Sequence, residues 1–133
     1  IKLGCLQRRP EAAAMLGRLR EHGVSICVDD FGTEPLSLVE LSRLPVDLVK
    51  IDREVASLAE SNRDWSAVVQ AMTSLAHALR KGVVVVGIES SGQMEQVERV
   101  GCDYAQGHFF ARPLPVSAAT KLIHSPPKWR LSA

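Results

Sequence analysis

Four short runs of branched apolar residues, each followed by an amphipathic stretch, constrain this chain more than any other feature. The runs are Val24 to Val28, Leu48 to Ile51, Val83 to Ile88 and Cys102 to Ala105. Nearly continuous apolar runs of this length suit strands buried on both faces. Around them, apolar residues recur at three- and four-residue spacing, as in helices with one buried face. Glu11 to Arg20 carries Ala12, Met15, Leu16 and Leu19 in that spacing, after a Pro10 suited to a first turn and before His22-Gly23. Leu36, Leu38, Val39, Leu41 and Leu44 predict a second helix that Pro45 stops. Trp65 to Leu79 predicts a third, with Val68, Val69, Met72, Leu75, Ala76 and Leu79 on one face and Gly82 at its end. Gln93 to Val100 and Pro115 to Ile123 predict two more.

Strand alternating with helix at about 25 to 35 residues per unit means parallel strands joined by helical crossovers. The fold class is α/β: a leading helix, then four strands each followed by a helix. The pattern alone leaves open a doubly wound sheet or part of a barrel, but both architectures place function beyond the C-terminal ends of the strands. A chain of 133 residues has room for one ordinary domain. Residues 1–123 are assigned to it, and residues 124–133, with Ser125-Pro126-Pro127, to an extended C-terminal tail.

Composition excludes several function classes. Sixteen basic residues against 15 acidic ones, a formal charge of +1, give no field to recruit a nucleic acid polymer or an anionic membrane. A nucleotide would have to be held by a site. No apolar run is long enough to span a bilayer and no basic leader precedes an apolar signal stretch, so the expected compartment is the cytoplasm. The first residue is Ile, which hints at a chain excised from something longer or one that has lost its start. Cys5, Cys27 and Cys102 are odd in number and imply no disulfide framework.

The strand ends are unusually polar. They carry Asp29 and Asp30, then Lys50 and Asp52, then Glu89, then Gln106 with His108. Parallel neighbours lie only ~4.8 Å apart, so these groups converge on one pocket. Their hard oxygen donors suit Mg²⁺, Mn²⁺ or Ca²⁺ rather than zinc, and a lysine beside them can orient a metal-bound water for attack at phosphorus. Taken singly, each has a plainer explanation: an Asp after a strand caps the next helix, and a nearby Lys makes an ion pair. Capping does not explain why Asp29, Asp30 and Lys50 all hold matched positions. His22, His77, His108 and His124 never fall at metal-ligand spacing, and Trp65 and Trp129 lack the basic, aromatic surroundings of a nucleobase platform. Arg18, Arg20 and Arg80-Lys81 read as solvated helix faces.

Five separated segments carry a family resemblance. Asp29-Asp30-Phe31-Gly32-Thr33, Leu44-Pro45-Val46-Asp47 leading into Lys50-Ile51-Asp52-Arg53, Leu75-Ala76-His77, Gly101-Cys102-Asp103 with Gln106-Gly107, and Arg112-Pro113-Leu114-Pro115 resemble, in order and spacing, the second half of EAL-type cyclic di-GMP phosphodiesterase domains. The resemblance spans residues 10–123. It implies part of a (β/α)8 TIM-type barrel, normally about twice this length, that linearises cyclic di-GMP with two divalent metals. It also implies that Asp29 bridges the metals, Asp30 binds one of them, Lys50 contacts the attacking water, and Glu89 and Gln106 belong to the same pocket.

The chain departs from that family where the metals would sit. The family's strand ordinarily ends Ala-Glu-Gly-Val-Glu, and the matching residues are Val85, Val86, Gly87, Ile88 and Glu89, so Val86 replaces the first glutamate. A second glutamate is expected before the first helix, and residues 1–10 contain no acid. Glu34 and Pro35 replace a glycine and an aromatic after Thr33. These losses predict a degenerate domain with impaired hydrolysis that binds a nucleotide, cyclic di-GMP, or a protein. Any metal is Mg²⁺ or Mn²⁺, vestigially held by Asp29 and Asp30. The alternative is part of an active phosphodiesterase whose other ligands lie upstream. Half a barrel leaves open edges and an uncovered face, so a protein partner or a second copy is expected to cover it.

Overall fold

The computed structural model describes residues 1–2, 10–33, 37–52, 54–55 and 65–125, without the side chains of Pro10 and Trp65. Cys5, Glu34, Pro35, Leu36, Arg53, Trp129 and the Pro126-Pro127 tail lie outside the described residues. The elements run α1 (Pro10–Glu21), β1 (Cys27–Phe31), α2 (Leu38–Arg43), β2 (Leu48–Ile51), α3 (Trp65–Ala78), β3 (Gly82–Val86), α4 (Ser91–Arg99), β4 (Tyr104–Gln106) and α5 (Val116–His124). All four strands are parallel, in the order β1-β2-β3-β4. A strand order that never reverses is that of a barrel wall, whereas a doubly wound sheet switches direction at its ligand crevice. The topology therefore selects the barrel.

The two faces of the sheet differ because strand side chains alternate. Val49, Ile51, Val83 and Val85 are fully buried and join Leu16, Leu41, Val69, Ala76 and Val97 of the helices in one core. Each Val, Leu or Ile among them contributes roughly 1.5–3 kcal/mol relative to an exposed one. The other face carries Cys27, Asp29, Leu48, Lys50, Val84, Val86, Tyr104 and Gln106, matched across strands by the register pairs Lys50 with Val84, Val84 with Tyr104, and Val86 with Gln106. Tyr104 on this face is exposed.

Three helices end in the same way before a strand. In α1, Gly23 N–H donates to Arg20 C=O and Val24 N–H to Leu19 C=O, with Gly23 at φ 79°. In α4, Gly101 and Cys102 repeat the pattern onto Glu98 and Val97, with Gly101 at φ 74°. In α3 the left-handed residue is Arg80, at φ 57°, with Arg80 N–H on His77 C=O and Lys81 N–H on Ala76 C=O. These are Schellman ends, which satisfy carbonyls that a helix terminus otherwise leaves open. Gly82, expected to close α3, instead begins β3, where a Cβ would lie 2.6 Å from Leu48 Cδ2.

Two other expectations shift. The first strand starts at Cys27, not Val24, because Val24 and Ser25 are exposed and the parallel register opens at Cys27 with Leu48. The basic residues at the helix ends are not all solvated. Arg20 donates to Asp47 at 2.7 and 3.0 Å, and Lys81 is buried with its ammonium on the carbonyls of Leu44 and Val46 at 3.4 and 3.1 Å.

Candidate functional site

β1 does not run straight through its carboxylates. Cys27 and Val28 pair with Leu48 and Val49, but the next matched pair is Phe31 with Ile51. Asp29 and Asp30 together therefore face Lys50, which makes a bulge. In an unbroken strand, alternation would send the two carboxylates to opposite faces. Here Asp30 takes φ 58°, a left-handed conformation that Asp tolerates better than most residues, and Phe31 returns to the core. The turn is held by Thr33, whose N–H and hydroxyl both donate to Asp30 C=O, at 3.3 and 2.9 Å. Gly32 follows at φ 100° and lies so near Met72 that a Cβ would sit 2.5 Å from its methyl carbon. Asp30 N–H donates to Asp29 Oδ1 at 3.2 Å.

Beside this bulge stands a residue absent from the expected set. Lys2 pairs with Asp29 as an isolated parallel bridge, with Asp29 N–H on Ile1 C=O at 2.8 Å, so residue 2 sits one strand position beyond β1. Its Nζ lies 2.7 Å from Asp30 Oδ2. On the other side, Lys50 is half-buried on the inner face of β2, and its positive charge acts on the Cys27 thiol. Burial is the larger influence there and holds that thiol above its ordinary value. Asp52 follows the plainer explanation: its Oδ1 accepts Glu54 N–H at 2.6 Å.

The ends of β3 and β4 form a separate lobe. Gly87 and Ile88 N–H both donate to Gln106 C=O, at 2.8 and 3.1 Å, which ties the loop after β3 to the end of β4. Ser90 and Gln93 close a capping box over α4, and Gln93 Oε1 also accepts Glu89 N–H at 2.7 Å. Between these loops lies a cavity of about 350 Å³, whose polar lining comes from Glu89, Gln106, His108 and Arg112, with Val86 and Pro113 among its apolar walls. Glu89 and Gln106 thus share a pocket, while Asp29, Asp30 and Lys50 are not among its lining residues. Lys2 and Arg112 are the charged groups missing from the reading by strand ends. Arg112 lay in a quoted motif, and Lys2 lay in a segment read only for its lack of acids.

Among the described residues, the donor set does not fit a two-cation centre. Val86 ends β3 on the inner face opposite Gln106, and its side chain offers no oxygen. Among the described residues, no group of three or more His, Cys, Asp or Glu is placed to hold a metal ion. Asp30 already carries an ammonium partner. Hard divalent cations take about six oxygen ligands, and two carboxylates on one bulge supply few of them.

The EAL domain model matches residues 2–113. The chain is similar to the cyclic di-GMP phosphodiesterase NbdA of Pseudomonas aeruginosa, 39% identical over 112 residues, which is 84% of this chain and 14% of that protein. Among solved structures, it resembles the MucR phosphodiesterase in complex with cyclic di-GMP, with a TM-score of 0.81 at 34% identity, covering 90% of this chain and 49% of that one. It also resembles the EAL enzyme Bd1971 in a form bound to cAMP, with a TM-score of 0.84 at 31% identity, covering 92% of this chain and 33% of that one. The chain spans half or less of the length of each, a partial barrel of the same fold. On its strand order, its strand-end residues and this match, the chain belongs to the EAL domain family.

Proposed function

We propose that this chain is a degenerate EAL module of cyclic di-GMP signalling, working in the cytoplasm, that holds nucleotide or a protein partner and hydrolyses poorly. Val86 carries the reading. It ends β3 in register with Gln106, and valine can neither ligate a cation nor accept a proton from water. Around it the ligand-facing frame persists. Lys50 supplies a positive charge for a phosphodiester, and Glu89 and Gln106 line a cavity whose volume of about 350 Å³ has room for part of a nucleotide. A bound divalent cation would supply Lewis acidity and an activated water, and Asp29 and Asp30 are the residues left to receive one. No step is assigned to it, because the donor set does not fit two cations.

The test is calorimetric titration of the chain with cyclic di-GMP, with a hydrolysis assay in Mg²⁺ or Mn²⁺ and light scattering for mass. Saturable binding with the nucleotide recovered intact is the expected result. Linearisation at a rate that Asp29→Asn abolishes would overturn it. A folded oligomer that binds no nucleotide moves the reading to a protein partner on the inner sheet face, where Tyr104 is exposed.

A second reading rests on the chain covering only 49% of the MucR phosphodiesterase structure. It is that of part of an active phosphodiesterase, completed by ligands upstream. Val86→Glu in the chain with its upstream sequence, where one exists, should then raise hydrolysis; unchanged activity refutes the loss of that carboxylate as the cause.

A further inference from the structure

The bulge of β1 brings its own cation. Asp30 keeps only 21% of its side chain exposed, and Lys2 reaches it at 2.7 Å, the length of a charge-assisted hydrogen bond. The backbone at both ends of this contact is held. The Lys2 backbone is placed by its bridge to Asp29, and the Asp30 backbone is fixed by its left-handed turn and by the two Thr33 donors. Lys50 lies opposite the bulge in the strand register, so a second positive charge stands on the neighbouring strand. A divalent ion would have to expel Lys2 from Asp30 and remain beside Lys50. Its other carboxylate, Asp29, already accepts a backbone N–H.

We infer that Lys2 is the resident cation of this site: its ammonium occupies Asp30 in place of a divalent metal, and the bulge excludes metal for as long as it does. The inference concerns the carboxylates that the proposed function leaves for a cation, at the same C-terminal end of the sheet as the nucleotide cavity. Its test contains no nucleotide, so the two can fail separately. An exposed ion pair contributes little to folding, and Lys2 keeps 65% of its side chain exposed. Substitution there leaves the fold intact, which circular dichroism verifies.

The experiment is titration of the chain with Mn²⁺ alone, read by water-proton relaxation. The wild type should leave Mn²⁺ free below the millimolar range. Lys2→Met should bind it at least about tenfold more tightly, a change of about 1.4 kcal/mol, and Lys2→Arg should behave as the wild type. Adding Asp30→Asn to Lys2→Met should abolish the gain, which distinguishes a freed carboxylate from a general change in surface charge. Micromolar Mn²⁺ binding by the wild type that Asp30→Asn removes would overturn the inference. So would a Lys2→Met chain with the wild-type affinity.

Discussion

Carboxylates stand at both ends of this parallel sheet, and they do different work. At the N-terminal end, Asp47 precedes β2 and accepts Ile26 N–H at 2.8 Å together with the Arg20 guanidinium. Asp103 precedes β4 and accepts Val83 N–H at 2.7 Å together with the His77 ring at 2.8 Å. Each clamps the backbone at the start of a neighbouring strand and is itself satisfied by a side chain from a helix. At the C-terminal end, Asp29 and Asp30 sit on a bulge with a left-handed turn at Asp30, whose counter-ion is the Lys2 ammonium. The first pair is made to be finished internally, and the second faces an open crevice. The difference follows the general division of barrels, in which one face supports stability and the other function.

The sharpest way to break that comparison is at Gly107, where the functional end also has a packing constraint. A Cβ there would lie inside the backbone of Ile88, which cannot yield as a side chain can. Gly107→Ala should cost about 3 kcal/mol or more, beyond ordinary overpacking because the obstacle is main chain. Urea denaturation measures it. An unchanged midpoint would mean that the loop after β3 moves freely, and that the C-terminal end is pliable rather than built.

The clamps come next in size. Asp103→Ala leaves Val83 N–H without its acceptor, and Asp47→Ala does the same to Ile26 N–H. Each should cost about 1–3 kcal/mol. Asp29→Ala, which frees only the N–H of the half-buried turn residue Asp30 from a 3.2 Å contact, should cost less than either. If Asp29→Ala proved the most destabilising of the three in urea, the division between the two ends would fail.

The clamps also predict a pH dependence. The His77 hydrogen bond holds the Asp103 carboxyl below its usual range, partial burial opposes this, and the Val83 N–H assists. For Asp47, partial burial pushes upward, but the Ile26 N–H and Arg20 more than offset it, so its carboxyl is also held low. A carboxylate with a depressed folded value leaves the unfolded chain with more bound protons in acid. Its contribution is complete above the unfolded value, about 4, and is lost as pH falls through the lower folded value. The urea midpoint should therefore drop below about pH 4. In an Asp47→Asn, Asp103→Asn double variant, whose amides still accept the N–H groups, that drop should shrink. An equally steep fall in the double variant would assign the acid sensitivity elsewhere.

The alternation of strands and helices was legible because strand and helix periods are fixed by backbone geometry. That is why Asp29, Lys50 and Gln106 could be assigned to strand ends before their surroundings were known. The bulge was not legible, since nothing in Val28-Asp29-Asp30-Phe31 distinguishes a straight strand from one with an extra residue except the glycine that follows. Long-range pairing was equally hidden. Arg20 and Asp47 are 27 residues apart, and Lys2 and Asp30 are 28 apart, so each basic residue read as solvated or went unremarked. Asp47 and Asp103 lay within the motifs that carried the family resemblance, but their role at the stabilising end depends on which backbone N–H groups they meet.

The smallest expected effect lies in the helix ends, where a rule read from sequence and its exception occur side by side. Two of the three Schellman ends use glycine, at Gly23 and Gly101, and the third uses Arg80 at φ 57°. A side chain in that conformation costs about 1 kcal/mol against glycine, partly returned because glycine gives the unfolded chain more freedom to lose. Arg80 is exposed, and Lys81, one residue on, supplies the buried ammonium on the Leu44 and Val46 carbonyls. Replacing Arg80 should therefore leave that contact in place. Arg80→Gly should raise stability by about 0.5 kcal/mol, detectable as a small upward shift of the urea midpoint with an unchanged slope. A loss instead of a gain would mean that Arg80 makes a contribution through its side chain that exceeds the strain of its backbone, and that the N-terminal end draws on more than its two carboxylate clamps.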